Sequence, residues 1–246
     1  MWQIVLGLVA GVLVLMAALI GAPMLRSGAA PDSPSAAQRV TVSLPWQIEQ
    51  RPGGALRVFG LQLGGDGAST LDDAQALWPG EVLKVALLAS GDGSLAVEGY
   101  LESIQVGALQ GKLVLGIAAE PGELNAWAQR ATGVEPKPSG ARQANLHSSD
   151  LADARRRPLA ALVFLPAARL DEATVVQRFG AGPQRIETED GALHLLYPDR
   201  GVAITLDPKG RDRSVLQYVA PAEFQRRLLA PLQAAAAASS AASSVR

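Results

Sequence analysis

The sequence predicts an α+β fold that follows an N-terminal transmembrane helix. Three observations lead to this prediction: a long uncharged segment near the N-terminus, short β-prone runs separated by turn residues, and helix starts that recur at a nearly constant spacing. Hairpin-type connections favour antiparallel sheets with helices on one face. We therefore predict two similar units, each made of a short helix, an antiparallel β-meander and a closing helix.

The first 25 residues carry the strongest local signal. No charged or strongly polar residue lies between Ile4 and Ile20, and apolar residues continue to Leu25. About 20 such residues in a helix cross the hydrocarbon core of a bilayer. A cleaved signal peptide is the alternative, but it would begin with basic residues, and none precedes Ile4. We predict a transmembrane anchor in residues 1–25, with membrane contact through residues 4–25.

Few charged residues flank the apolar segment to indicate on which side of the membrane the globular part lies. Arg26 is the nearby basic residue, and the positive-inside rule would keep the chain that follows it in the cytoplasm. A single arginine decides little, whereas short N-terminal anchors usually export the globular body behind them. We predict a single-pass protein of the inner (cytoplasmic) membrane with a periplasmic globular part. A cytoplasm-facing membrane adaptor is the alternative.

Composition divides the remaining chain into segments. Residues 26–43 are rich in Ala, Ser and Pro and predict a linker, and residues 133–158 begin with a Pro- and Gly-containing stretch and predict a connector. Residues 233–246 consist mainly of Ala and Ser and predict a disordered tail. These segments leave residues 44–132 as the first α+β unit and residues 159–232 as the second.

The helix starts indicate an internal duplication. Leu71 and Leu170 each open an acidic helix-start sequence, and Pro121 and Pro221 each open a second helix. The two offsets, from 71 to 170 and from 121 to 221, are 99 and 100 residues. A constant offset between similar elements is typical of repeated structural units.

Composition also limits the chemistry. The chain of 246 residues has a net charge of -1, which gives no general basic field for nucleic acid. It contains no cysteine, which excludes disulfides, thiol catalysis, Cys-ligated zinc and lipid attachment through a cysteine. We therefore predict no cofactor, no metal and no nucleic-acid partner.

Candidate catalytic residues are few. His147 lies in a polar connector and could act with Asp150 or a serine, while Glu98 and Glu102 would share one face of a strand. The second histidine, His194, alternates with leucines and predicts a half-exposed strand position. No Gly-x-Ser-x-Gly elbow or His-x-x-x-His pair accompanies these residues. A membrane-proximal hydrolase acting on an envelope polymer is the alternative to a non-enzymatic protein.

One local run of charge stands out. Arg155, Arg156 and Arg157 follow one another before an apolar segment. Three adjacent guanidinium groups could bind an anionic lipid, a glycan or an acidic protein surface. A solvated patch is the alternative interpretation. We predict these arginines as a possible interaction site.

The second half of the chain resembles a known envelope family. Its helix ends in the sequence RFGAGP at 178–183, and a hairpin follows with LHLLY at 193–197 and GVAI at 201–204. With these features, residues 170–232 resemble the small α+β units of β-barrel-assembly accessory lipoproteins of the BamE/SmpA type. Two units in tandem also resemble secreted β-lactamase-inhibitor proteins, and the overall layout is similar to proteobacterial membrane-anchored envelope proteins.

The resemblance implies a non-enzymatic binding module in the cell envelope. Those lipoproteins are tethered through a lipidated cysteine, which this chain lacks. A transmembrane helix would take the place of the lipid. We therefore predict a membrane-anchored protein-interaction or scaffold module whose partner is another envelope protein. Fold analogy does not identify that partner.

Overall fold

The computed structural model describes residues 42–137, 140–188, 190–210 and 212–235. Within these ranges every pairing between named strands is antiparallel. In chain order the strands are β1 (Glu49–Arg51), β2 (Ala55–Val58), β3 (Leu61–Leu63), β4 (Lys84–Ala89), β5 (Leu95–Val106), β6 (Leu109–Ile117), β7 (Thr132–Pro136), β8 (Arg142–Asn145), β9 (Leu159–Pro166), β10 (Gln184–Glu187), β11 (Leu193–Tyr197), β12 (Val202–Leu206) and β13 (Val215–Val219).

Four of the five α-helices in the described part begin within two residues of the starts that the sequence predicts. The five helices are α1 (Leu71–Leu77), α2 (Pro121–Arg130), α3 (Ser148–Arg155), α4 (Glu172–Phe179) and α5 (Pro221–Phe224), which continues into a π-helical turn at Gln225–Leu229. Thr70 and Asp73 form a capping box at α1, and the Asp171 side chain accepts a hydrogen bond from the backbone N–H of Thr174 at α4. The starts predicted for α1, α2, α4 and α5 are confirmed, whereas α3 lies in the predicted connector.

The prediction of two α+β units is wrong, because the fold is mostly β. Ten strands form one sheet in the order β10-β11-β12-β13-β9-β6-β5-β4-β8-β7, and β1, β2 and β3 form a second sheet. Strands from both predicted units join at β6 and β9, where residues 111–117 pair with residues 159–166. The strand before α1 lies in the small sheet, whereas the strand before α4 lies at the centre of the large one. Similar helix starts therefore precede different topologies.

The predicted transmembrane architecture also requires correction. No helix in the described ranges is long and apolar enough to cross a membrane. This finding overturns the predicted single-pass localisation in the inner membrane with a periplasmic body. Residues 1–25, to which the anchor was assigned, lie outside the described ranges, as do residues 26–41 of the linker and residues 236–246 of the tail.

One face of the ten-stranded sheet, here called the first face, carries the main core. The small sheet packs onto it, and the Phe59 ring of the β2–β3 turn lies 5.2 Å from the Phe164 ring and 5.7 Å from the Tyr218 ring. α1 contributes Leu71 to this core, and α4 contributes Phe179. Packed aromatic and aliphatic groups of this kind supply most of the stability of a domain.

The opposite face, here called the second face, is divided into two parts. α5 packs Phe224 and Leu228 against Leu196 of β11 and Val219 of β13. Beyond this contact lies a cluster that belongs to the sheet alone. We call this cluster the valine strip; it consists of Tyr100, Val114, Val163, Leu165 and Val215. Among the described residues, no buried or partly buried apolar side chain of another element packs against the valine strip.

Candidate functional site

The three arginines predicted as an interaction site are each paired with a carboxylate of the chain itself. The partners are Asp72 of α1 for Arg155 (2.6 Å), Asp153 of α3 for Arg156 (2.7 Å) and Glu123 of α2 for Arg157. The run follows the C-terminal end of α3, where cations suit the helix dipole. It therefore ties α3 to α1 and α2. Its predicted contact with an anionic partner stays a prediction.

His147 and Asp150 lie at the N-terminus of α3. His147 precedes the first helical residue, and its Nδ1 atom lies 2.9 Å from Ser149 Oγ. The two carboxylate oxygens of Asp150 accept hydrogen bonds from Arg130 at 2.9 and 2.8 Å. These bonds hold the pKa of Asp150 below its usual value. Both residues are therefore explained by helix capping and by an ion pair between α2 and α3.

The two glutamates of β5 have different surroundings. Glu102 is exposed and forms ion pairs with Lys84 (3.2 Å) and Lys112 (3.3 Å). Glu98 is only 4% exposed, and within the described structure neither of its carboxylate oxygens has a hydrogen-bond partner. Burial raises the pKa of Glu98 to about 8. The two carboxyls therefore have different environments: Glu98 is buried without a described hydrogen-bond donor, and Glu102 belongs to an exposed group of ion pairs.

Glu98 lies in a row of small residues on the second face. Ala86 of β4 and Gly116 of β6 flank it in register, and Ala161 of β9 pairs with Gly116. Tyr100, two residues further along β5, lies beside Lys112, whose Nζ atom is 5.9 Å from the centre of its ring. A buried polar group without a partner costs about 1–3 kcal/mol, so such groups call for a physical explanation. This row and the valine strip form one continuous candidate surface.

His194 is a buried polar residue in the half of the sheet formed by β10 to β13. It is buried rather than half-exposed as predicted, because β11 has neighbours on both faces. Its Nδ1 atom lies 2.9 Å from Thr205 Oγ1, and its Nε2 atom lies 3.4 Å from Thr188 Oγ1. Burial lowers the pKa of His194. This imidazole therefore has hydrogen-bond partners where Glu98 has none.

The two edge strands of the ten-stranded sheet differ in their protection. At β10, Arg185 forms a two-pronged ion pair with Glu172 of α4, with one N–O distance of 2.8 Å, and Ile186 packs against the α5 cluster. At β7 all five residues are exposed, and Val134 is 58% exposed. On the outer side of β7 no further strand of the described structure pairs with it. The unpaired N–H and C=O groups on the outer side of an edge strand are a template for pairing with another chain.

The sequence reasoning missed β7 and β8 because a Pro- and Gly-containing stretch was interpreted as a connector. The facing ends of the two strands are close together: Lys137 N–H donates to Ala141 O at 2.8 Å, and Gly140 N–H donates to Lys137 O at 2.9 Å. A turn former between two short extended runs is a hairpin signal, and it could have revealed both strands. Val134 was therefore not among the predicted site residues.

Comparisons with known proteins find no matching family model, no matching curated protein and no matching solved structure. The resemblance of residues 170–232 to accessory lipoproteins therefore stays an untested prediction.

Proposed function

We propose that the chain is a non-enzymatic protein-interaction module that binds an extended segment of a partner by strand addition at β7. The exposed edge formed by Thr132–Pro136 carries this proposal. In strand addition, the free N–H and C=O groups of an edge pair with the backbone of the partner, and alternate side chains provide specificity.

The edge has the dimensions and rigidity that such binding requires. Five residues in a strand extend about 16 Å, which accommodates a short partner segment. β7 is held by β8, which pairs with β4 inside the ten-stranded sheet. A template that is already ordered reduces the entropy lost on association. Val134 adds an apolar side chain to the backbone contacts.

Features that limit nonspecific pairing are also present at β7. Its pairing with β8 is irregular between Thr132 and Glu135, and the strand ends at Pro136. Charges, bulges and prolines on an edge restrict indiscriminate aggregation. They also restrict the partner to a short segment whose register fits the irregularity. The resemblance to accessory lipoproteins supports a binding role in preference to a catalytic one.

A photo-cross-linking residue placed at Val134 in the full chain identifies partners in cells, with the same residue at Gln184 on β10 as the matched control. We expect a partner captured from Val134 and absent from Gln184. Binding of that purified partner is then measured for Val134→Lys and Gln184→Lys. A charge on a pairing edge opposes strand addition, so Val134→Lys should weaken binding about tenfold or more, and Gln184→Lys less than about twofold.

Two results would refute strand addition at β7. One is equal affinity of the Val134→Lys variant and the unmodified chain for the captured partner. The other is equal capture from Val134 and Gln184. Circular dichroism of both variants confirms that they are folded before affinities are compared.

A further inference from the structure

We propose that the partner segment added at β7 is an antiparallel strand that carries an acidic residue two positions before an apolar one. This inference rests on the proposed strand addition at β7, and it adds the chemistry, the direction and the register of the partner.

The outer side of β7 offers hydrogen-bond acceptors at two positions. Lys137 N–H donates to Ala141 O of the facing chain at 2.8 Å, and Glu135, two residues earlier, is paired with β8 in the same register. Backbone groups of alternate residues face the same neighbour, so Glu135 N–H also faces β8. A trans peptide points its N–H and the preceding C=O in opposite directions. The C=O groups of Val134 and Pro136 therefore face outwards.

The same edge offers fewer donors than acceptors. Pro136 has no N–H, and Thr132 is paired with Asn145 of β8. In the regular part of the strand, residues 134–136, Val134 N–H is the outward donor. A partner therefore has to supply two N–H groups, two residues apart, to the C=O groups of Val134 and Pro136. Proline is excluded at both of those partner positions.

This pattern argues against a second copy of the chain as the occupant. In a symmetric antiparallel pairing, Val134 would lie opposite the Val134 of the other copy. Pro136 would then lie opposite Thr132, whose backbone is already paired with β8. The C=O of Pro136 would lack a donor at both ends of such a pairing. A different chain with free N–H groups satisfies the edge better.

A positive charge without a carboxylate partner lies beside Pro136. Arg142 of β8 is directly opposite Pro136 and is exposed, and its side chain makes no ion pair or hydrogen bond in the described structure. Lys137, at the same end of β7, is by contrast paired with Glu135 at 3.7 Å. A carboxylate of the partner would neutralise the charge of Arg142.

An added strand brings its side chains within reach of Arg142. Residues that are paired across neighbouring strands share one face of the sheet, so the partner residue opposite Pro136 lies on the same face as Arg142. Neighbouring strands lie about 4.8 Å apart, which places the added strand about 10 Å from β8. The long side chains of an arginine and a glutamate together cover this distance across Pro136.

Val134 sets the second requirement on the partner. It lies two residues before Pro136, hence on the same face, and it is 58% exposed. An apolar side chain opposite Val134 would cover it. In an antiparallel strand, the residue opposite Pro136 comes two positions before the residue opposite Val134. The expected order from N- to C-terminus is therefore an acidic residue, any residue except proline, and an apolar residue.

Peptide selection tests this order. A library of random seven-residue segments displayed on phage is selected on the full chain and on its Val134→Lys, Arg142→Glu and Arg213→Glu variants, each shown by circular dichroism to be folded. Arg213 is exposed and precedes β13 in the other half of the sheet, so its reversal is the matched control for net charge. We expect the acidic–any–apolar order on the unmodified chain and on Arg213→Glu. On Arg142→Glu a basic residue should replace the acidic one.

Titrations with a selected segment give the size of the effect. Its binding should be about fivefold weaker on Arg142→Glu and less than about twofold weaker on Arg213→Glu. Segments that depend on Val134 but show no acidic preference, or bind Arg142→Glu equally well, overturn this inference and leave strand addition standing. The reverse order, with the apolar residue first, overturns the antiparallel direction. Failure to select any segment that depends on Val134 refutes strand addition itself.

Discussion

The two halves of the ten-stranded sheet are built from similar strands, but they differ in the helices that cover their faces and in the contacts of their edge strands. In the half that contains β10 to β13, α4 packs on the first face and α5 on the second, and the edge carries the Arg185–Glu172 ion pair. In the half that contains β4 to β8, the edge strand β7 is exposed. Glu98 is buried on the second face of this half, over which no described helix packs.

Buried polar groups show the same difference. In the half that contains β10 to β13, here called the closed half, His194 bonds Thr205, and Ser214 Oγ accepts a hydrogen bond from the Leu170 N–H at 2.9 Å. In the half that contains β4 to β8, here called the open half, Glu98 has no described partner. Native proteins satisfy nearly all buried polar groups, so an exception marks a place where a further contact belongs. The proposed binding edge, β7, therefore lies in the half of the sheet that also contains the unpartnered carboxyl of Glu98.

The largest effect is expected at Glu98, from the dependence of stability on pH. Its pKa is about 8 in the folded chain and near 4.5 when unfolded, so unfolding releases a proton between these values. The contribution of Glu98 to the free energy of unfolding should therefore be largest below pH 4.5 and fall as pH rises to 8, by roughly 4–5 kcal/mol in total. Denaturant titrations at several pH values measure this slope.

Glu98→Gln isolates the contribution of this carboxyl. The amide is neutral throughout, so the variant should lose the decrease between pH 4.5 and 8 and be the more stable protein at pH 8. Other acids titrate alike in both proteins, so the difference between them belongs to position 98. Parallel curves for the two proteins would show that Glu98 ionises freely and that the open half is solvated.

A smaller loss in the free energy of unfolding is expected when the side chain that packs α5 onto the closed half is removed. Phe224 is 1% exposed and packs against Leu196 and Val219. Phe224→Ala should lower the free energy of unfolding by about 3–5 kcal/mol, because it leaves a cavity beneath the helix. Denaturant titrations measure this loss. A loss below about 1 kcal/mol would contradict the packing of Phe224 between α5 and the sheet.

Removing a hydrogen-bond partner in the closed half should cost less. Thr205→Val keeps the shape of the side chain but leaves His194 Nδ1 without its partner at 2.9 Å. The expected loss in the free energy of unfolding is about 1–3 kcal/mol. Thr132→Val, on the exposed β7, is the control and should change stability by less than about 0.5 kcal/mol. Equal effects would contradict the difference in polar satisfaction between the halves.

The smallest change in stability is expected at β10, the edge strand that carries the ion pair between Arg185 and Glu172. Arg185→Ala removes the ion pair with Glu172, both of whose side chains are partly exposed. Such pairs contribute about 0–1 kcal/mol, so stability should change little. The variant should nevertheless make β10 more open to strand pairing, measured as added capture from a cross-linker at Gln184. Unchanged capture would mean that α5 and α4 block this edge without help from the arginine.

Local signals in the sequence predicted most elements but not their assembly. Thr70, Asp171 and Pro221 mark helix starts because capping and proline geometry depend on neighbouring residues. The joining of β6 to β9 depends on residues about 50 positions apart, from Gly111 opposite Pro166 to Ile117 opposite Leu159, and no local pattern encodes it. The sequence therefore suggested two units where hydrogen bonding makes one sheet.

The candidate surfaces were harder to predict for the same reason. Glu98 was considered only as a catalytic carboxyl, since its sequence neighbours do not show that Gly116 and Ala86 flank it across the sheet. Val134 was missed because Gly133 and Pro136 are typical of loops, yet the strand forms by pairing with β8. The arginine run was visible in the sequence, but the partners of Arg155 and Arg157 lie on α1 and α2, which only the fold brings next to α3.

Hydrogen–deuterium exchange on the full chain, with and without the partner captured from Val134, tests strand addition most directly. Strand addition pairs the free amides of β7, so exchange at residues 132–136 should slow when the partner binds, while exchange at residues 184–187 of β10 stays unchanged. Unchanged exchange at residues 132–136 in the saturated complex, or protection at residues 184–187 in their place, would contradict the account.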